Sequence, residues 1–228
     1  EDGRAAYLLL GIENQSSVHY AAPVKNLLYD VLQYVSQVEK ASRAHRKRKE
    51  YKGRNEGEFL SGFYKDDKLL PVITLIVLFS PDEWDGPLSL REMMDVDDPA
   101  ILSMVPDYRI HLVAPADISE QDFKKFHTSL GDVLTFIKYS KDDEKMEDWL
   151  DGTGADVVLG REEIQVLNTC VNAKLTMQSS EEAIKVCEAI RKMNEKAVKK
   201  AEENTQLAGI RNLIKNLNLT AEQAMAAL

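Results

Sequence analysis

The sequence predicts an α/β core followed by a helical extension. Three observations carry this. Short apolar runs at residues 5–12, 69–79 and 108–114 read as strands, and all lie early in the chain. Between and after them, apolar residues recur at helical spacing. From residue 141 onward, helical patterning takes over almost entirely. Early strands and late helices suggest a core at 1–140 and an extension at 141–228.

Composition agrees. The 228 residues are 44% hydrophobic and 29% charged, which suits one soluble domain with a real core. No apolar run is long enough to span a bilayer; the strongest, residues 69–79, is interrupted by Pro71 and Thr74. The opening Glu-Asp-Gly-Arg is not a basic-then-apolar leader. Cys170 and Cys187 sit beside apolar residues in helical-looking segments and read as reduced, buried thiols, since a zinc site normally needs four ligands. A cytoplasmic protein without a membrane partner is expected. The net charge of −9 argues against indiscriminate coating of nucleic acid, but leaves room for a local basic surface.

The elements follow in order. Residues 5–12 suit a strand buried on both faces. Asp2-Gly3 before it is hairpin-turn chemistry, and a hairpin turn needs a strand on its other side, so the first core strand is expected to be missing. Residues 13–20 form a polar stretch. A helix starts near Pro23, a first-turn residue. Val24, Leu27, Leu28, Val31, Leu32, Val35 and Val38 give it one apolar stripe. The helix runs on into a basic stretch holding Lys40, Arg43, Arg46, Lys47, Arg48, Lys49, Lys52 and Arg54 against Glu50 alone.

Residues 53–62 and 80–87 read as loops, 90–94 as a helical turn, and 119–139 as a helix capped by Ser119. Helices are predicted over 160–177 and 180–204. The stripe Ile184, Cys187, Ile190, Met193 and Ala197 marks the second of these. Thr220 and Gln223 fit a capping box. The amphipathic C-terminal helices suit pairing within the chain or, as a possible homodimer, between copies.

The chemistry concentrates where the first strand ends. Glu13 and Gln15 are two apart and share a strand face. A carboxylate and an amide emerging together from a buried strand need a partner. A divalent ion would satisfy Glu13 and the backbone carbonyl of Asn14, and hard oxygen ligands suit Mg²⁺ (or Mn²⁺). A solvated or salt-bridged Glu13 is the plainer alternative. The basic stretch suits a DNA backbone. It equally suits a solvated helix end, where cations are favoured regardless of function. His19, His45, His111 and His127 lack metal-pair spacing, and Asp95, Asp97 and Asp98 read as a solvated acidic loop. No Gly-rich phosphate loop and no nucleophile elbow is present in the sequence.

The run Leu8-Leu9-Leu10-Gly11-Ile12, Glu13-Asn14-Gln15-Ser16, then Pro23-Val24-Lys25 and Tyr29 resembles the recombination-promoting nuclease (putative transposase) family of the PD-(D/E)XK superfamily. Leu70-Pro71-Val72-Ile73 and Trp84 continue the likeness, which covers residues 5–140. The resemblance implies a restriction-endonuclease-like mixed sheet flanked by helices and Mg²⁺-dependent DNA cleavage. It implies that Glu13 ligates the metal and that Gln15, in place of the usual Lys, positions the attacking water. The metal then supplies the activation. Lys25 would contact phosphate or stabilise its developing charge. The DNA-binding set would be Lys25, Tyr29, Lys40, Arg43, Arg46, Lys47, Arg48 and Lys49. One departure matters: the family's metal-binding Asp lies on the preceding strand, and Asp2 is too close to Glu13 to replace it. Two expectations result. One is a metal-dependent endonuclease; the other is a non-catalytic DNA-binding or interaction module that retains the nuclease fold.

Overall fold

A computed structural model describes residues 8–49 and 54–217. The architecture is mixed α/β, with a parallel three-stranded sheet flanked by helices and a separate two-stranded antiparallel sheet. The chain divides into two compact units between residues 123 and 124.

The first unit holds β1 (Leu9–Gln15), α1 (Ala22–Arg48), α2 (Glu56–Ser61), β2 (Val72–Leu78), α3 (Pro99–Met104), β3 (His111–Val113) and α4 (Glu120–Phe123). Sheet order is β1-β2-β3, all parallel. Parallel neighbours need a crossover, and α1 supplies the one between β1 and β2. Leu9 stands opposite Val72 and Gln15 opposite Leu78. The Leu9 N–H donates to Pro71 O at 2.8 Å and the Phe79 N–H to Gln15 O at 2.7 Å. Odd-numbered backbone groups of β1 therefore point at β2. Those of Leu10, Ile12 and Asn14 point out of the opposite edge, which pairs with no strand among the described residues.

β1 lies further along the chain than the predicted strand, so Glu13, Asn14 and Gln15 are inside it rather than beyond it. It is also not buried on both faces. Its odd side chains turn toward α1, while Leu8, Leu10 and Ile12 are 43%, 56% and 64% exposed.

The largest departure concerns α1. Its predicted apolar stripe faces outward: Val24, Leu28, Val31, Leu32 and Val35 are all more than two-fifths exposed. Its buried positions are Ala22, Pro23, Asn26, Asp30 and Ser42. The reason lies in hydrogen bonds that only polar side chains can make. Asp30 accepts from Thr74 Oγ1 at 2.6 Å and from the Tyr108 hydroxyl at 2.7 Å. Tyr34 Oη accepts from the Val72 N–H, and Gln37 bonds both the N–H and the carbonyl of Leu70. Backbone groups entering β2 thus find partners on α1. Gly11 permits the close approach: a Cβ there would lie 2.9 Å from Thr74 Oγ1. Ala22, Ile76 and Ile110 form the apolar cluster beneath, flanked by Trp84, Tyr108 and Leu112.

The predicted basic helix end is present. α1 closes with His45, Arg46, Lys47 and Arg48 in its last turn and Lys49 in the left-handed region at φ 56°. Asp98 of the acidic loop caps α3 through the Ala100 N–H.

The second unit comprises α5 (Ser129–Tyr139), α6 (Asp143–Asp151), β4 (Val158–Gly160), α7 (Arg161–Val171), β5 (Ala183–Lys185) and α8 (Val186–Leu217). The division falls before residue 140 because α5 packs on α6 and α7, burying Val133, Leu134, Phe136 and Ile137. The predicted helix at 119–139 is two helices, with Ser119 Oγ accepting from the Asp122 N–H as a cap. This half is not wholly helical. The helix predicted over 160–177 stops at Val171, where Asn172 turns left-handed at φ 52°. Ile184 lies on β5, paired with β4, and α8 starts only at Val186. Residues 194–208 of α8 are exposed throughout. Cys187 is buried and Cys170 partly so, both as free thiols. The capping box at Thr220 lies outside the described residues. Among those described, no helix is long and apolar enough to cross a membrane.

Candidate active site

Strand alternation places Glu13 and Gln15 on the α1 side of β1, and the first turn of α1 brings Lys25 to them. Glu13 Oε1 accepts from Gln15 Nε2 at 3.0 Å and from Lys25 Nζ. The Glu13 side chain is only 14% exposed, that of Lys25 33%. Glu13 Oε2 and Gln15 Oε1 are both buried and have no hydrogen-bond partner among the described residues. Leaving a buried acceptor unmet costs about 1–3 kcal/mol each. The two oxygens belong to side chains two residues apart on one strand face.

The charge state follows from the same contacts. Burial pushes the Glu13 carboxyl up, but hydrogen bonds from Lys25 and Gln15, with the Lys25 charge, hold it below its ordinary value. The hydrogen bond to Glu13 raises the Lys25 ammonium, against the opposing effect of its partial burial. The site is therefore a carboxylate and an ammonium at neutral pH.

Tyr29, one turn on, lies with its ring centroid 5.9 Å from Lys25 Nζ. A cleft of about 580 Å³ runs along the open edge of β1, lined by residues 9–14 with Tyr29, Gln33, Val72 and Thr74. The Asn14 side chain is exposed on the other sheet face, and its carbonyl points out of the open edge beside Glu13.

Glu13, Gln15, Lys25 and Tyr29 thus come together. The basic residues do not join them. From Lys25 to Arg43 the helix rises about 27 Å, at 1.5 Å per residue. Arg43 pairs with Glu39 at 2.6 Å. Arg54 bonds Glu58 and Asp66 at 3.3 Å each and stacks 4.2 Å over Tyr64. Lys52 lies outside the described residues.

Two groupings escaped the sequence reading. One is the buried Asp30, Thr74 and Tyr108 network. Its signal was present: Asn26, Asp30, Tyr34 and Gln37 repeat at helical spacing beside the apolar stripe. The other is His45, which meets both Asp67 oxygens at 3.0 and 2.9 Å and stacks on Tyr64 at 3.8 Å. Burial raises Asp67, but the Tyr64 N–H and His45 hold its carboxyl below the usual value. Residues 22 positions apart give no sequence signal for this contact.

Among the described residues, no group of three or more His, Cys, Asp or Glu side chains converges as a metal site. Glu13 Oε2 and Gln15 Oε1 nonetheless offer two oxygens of the hard type that Mg²⁺ and Mn²⁺ prefer. Comparison of the chain with protein families, curated proteins and solved structures gives no match.

Proposed function

We propose that this protein is a Mg²⁺- or Mn²⁺-dependent DNA endonuclease of the recombination-promoting type, built on a PD-(D/E)XK fold and working in the cytoplasm. The observation that carries the reading is the pair of buried acceptors on β1, Glu13 Oε2 and Gln15 Oε1, which have no partner among the described residues. Glu13 and Gln15 would hold the ion, with the Asn14 carbonyl at the strand edge beside them. The ion would supply activation of water at neutral pH. The reaction is hydrolysis: a water oxygen bonds to phosphorus, one ester P–O bond breaks, and the leaving alkoxide takes up a proton.

The protein's own groups have separate tasks. Glu13 supplies a full negative charge, kept ionised by Lys25 and Gln15. Gln15 orients Glu13 through its amide N–H, and its own carbonyl oxygen is buried without a partner among the described residues. Lys25 is one-third exposed, so its ammonium can reach a phosphate oxygen or return to Glu13. The basic end of α1 would grip the DNA backbone about 27 Å away, about eight base pairs at 3.4 Å each.

One observation favours the rival reading, a non-catalytic DNA-binding or interaction module. Lys25 already neutralises Glu13, as a purely structural ion pair would. Nicking of supercoiled plasmid in Mg²⁺ separates the two. The endonuclease reading expects metal-dependent nicking that Glu13→Ala abolishes. Absence of nicking, or nicking untouched by Glu13→Ala, refutes it.

A further inference from the structure

On the cation reading of the Glu13–Gln15 site, on which this rests, we infer that Asn26 is a further ligand there, its Oδ1 supplying a third side-chain oxygen from α1. Asn26 is 0% exposed, yet neither Oδ1 nor Nδ2 has a partner among the described residues. Buried side-chain amides bond to protein or to a bound molecule. The described protein atoms supply nothing here, so a bound molecule is what remains.

The register between α1 and β2 places Asn26 at the level of Glu13. Gln37 bonds Leu70, Tyr34 bonds Val72 and Asp30 bonds Thr74, so the helix runs antiparallel to the strand. Four helical residues rise about 6 Å and two strand residues about 6.6 Å. One turn before Asp30, Asn26 therefore stands over Ile76, whose register partner on β1 is Glu13. Two contacts agree. Lys25, the neighbouring residue, reaches Glu13 Oε1, and Ala22, one turn earlier on the same helix face, clusters with Ile76. Gln15 Nε2 donates to Glu13 Oε1, and the unmet oxygens of these two residues sit on those same two groups. None of the unmet atoms of Glu13, Gln15 and Asn26 bonds another. A water has only two protons to offer three oxygens. Mg²⁺ or Mn²⁺ takes about six oxygen ligands, so it can accept all three and keep waters besides, one of which would accept from Asn26 Nδ2. One carboxylate and two amides make a site of low charge.

Mn²⁺ titration of the full chain, followed by electron paramagnetic resonance, tests the assignment. Asn26→Leu should bind the ion about tenfold more weakly than the wild type, and Asn26→Asp about tenfold more tightly, because ligand charge tunes affinity in oxygen sites. Without metal, Asn26→Asp buries a second carboxylate and should melt below the wild type. Mg²⁺ should then raise its melting midpoint more than it raises the wild type's. A purely structural Asn26 would lower stability in both variants and leave the binding constants alone. A second measurement uses the wild type and needs no variant to fold. In ¹⁵N-resolved NMR, the side-chain amide signals of Asn26 and Gln15 should shift together along one Mg²⁺ binding curve. Mn²⁺ binding that Glu13→Gln abolishes but both Asn26 variants leave unchanged would overturn the role of Asn26 and spare the cation site. A Gln15 signal that shifts while that of Asn26 stays still would do the same. No bound ion on the wild type would overturn both.

Discussion

Tyr108 donates its hydroxyl to Asp30 Oδ2 at 2.7 Å, fastening the segment before β3 to the middle of α1. Thr74 on β2 donates to the other oxygen of the same carboxylate. Asp30 is 5% exposed, so both oxygens depend on these donors. Tyr108→Phe leaves one of them without its hydroxyl partner and should cost about 1–3 kcal/mol in urea unfolding. Thr74→Val should cost a similar amount, and the two together should deviate from additivity because they share one carboxylate.

The same hydrogen bond governs the Tyr108 phenol. Burial first, and then the bond to Asp30, holds its pKa far above the ordinary 10. A raised folded value means that this contribution to stability is complete below pH 10 and is lost as pH rises beyond it. Spectrophotometric phenolate titration should show a tyrosine that ionises last, above Tyr20, whose bonds to Asp85 also raise it, and Tyr108→Phe should remove that last step.

Glu13 and Lys25 make a second pH-dependent bond. The folded Glu13 value is lowered from 4.5, so its contribution is present above pH 4.5 and fades as pH falls through the lower folded value. The Lys25 value is raised from 10.5, so its contribution is complete below pH 10.5 and fades only in stronger alkali. In metal-free buffer, Lys25→Met should cost about 1 kcal/mol at neutral pH, the pair being partly exposed. The difference from wild type should shrink below pH 4.5.

Gly62 ends α2 at φ 66°, its N–H bonded to Glu58 O at 2.9 Å. A side chain there meets a left-handed backbone and the Ser42 side chain together. Gly62→Ala should therefore destabilise by about 1 kcal/mol or more in thermal or urea unfolding.

Much of the first unit was legible in the sequence. Strands β1 and β2 and helix α1 follow from continuous apolar runs and from Pro23. The inside and outside of α1 were not legible, because periodicity reports that a stripe exists and not what lies against it. Here Asp30, Tyr34 and Gln37 hold hydrogen bonds that Val or Leu could not make, and they took the sheet-facing side. Short strands β4 and β5, three residues each, are too brief to set a period of two against flanking helical patterns. At the candidate site, shared strand parity put Glu13 with Gln15. The ion pair to Lys25 needed the crossover geometry of α1, which spacing alone does not provide.

The basic end of α1 makes a separate prediction. Reversing Arg46, Lys47, Arg48 and Lys49 to Glu should weaken DNA binding at all sequences alike. It should also reduce the slope of log K against log salt by about 0.9 for every phosphate that the variant no longer neutralises. Fluorescence anisotropy at several salt concentrations measures both. An unchanged slope would return these residues to the role of a solvated helix end.

Cation binding at Glu13 and Gln15 is the central claim, and electron paramagnetic resonance titration with Mn²⁺ tests it most directly. One bound ion is expected on the wild type, lost in Glu13→Gln and weakened in Gln15→Leu. Lys25→Met should bind the ion more tightly, because the competing ammonium leaves Glu13 Oε1. No bound Mn²⁺ on the wild type, or binding that ignores all three substitutions, would contradict it.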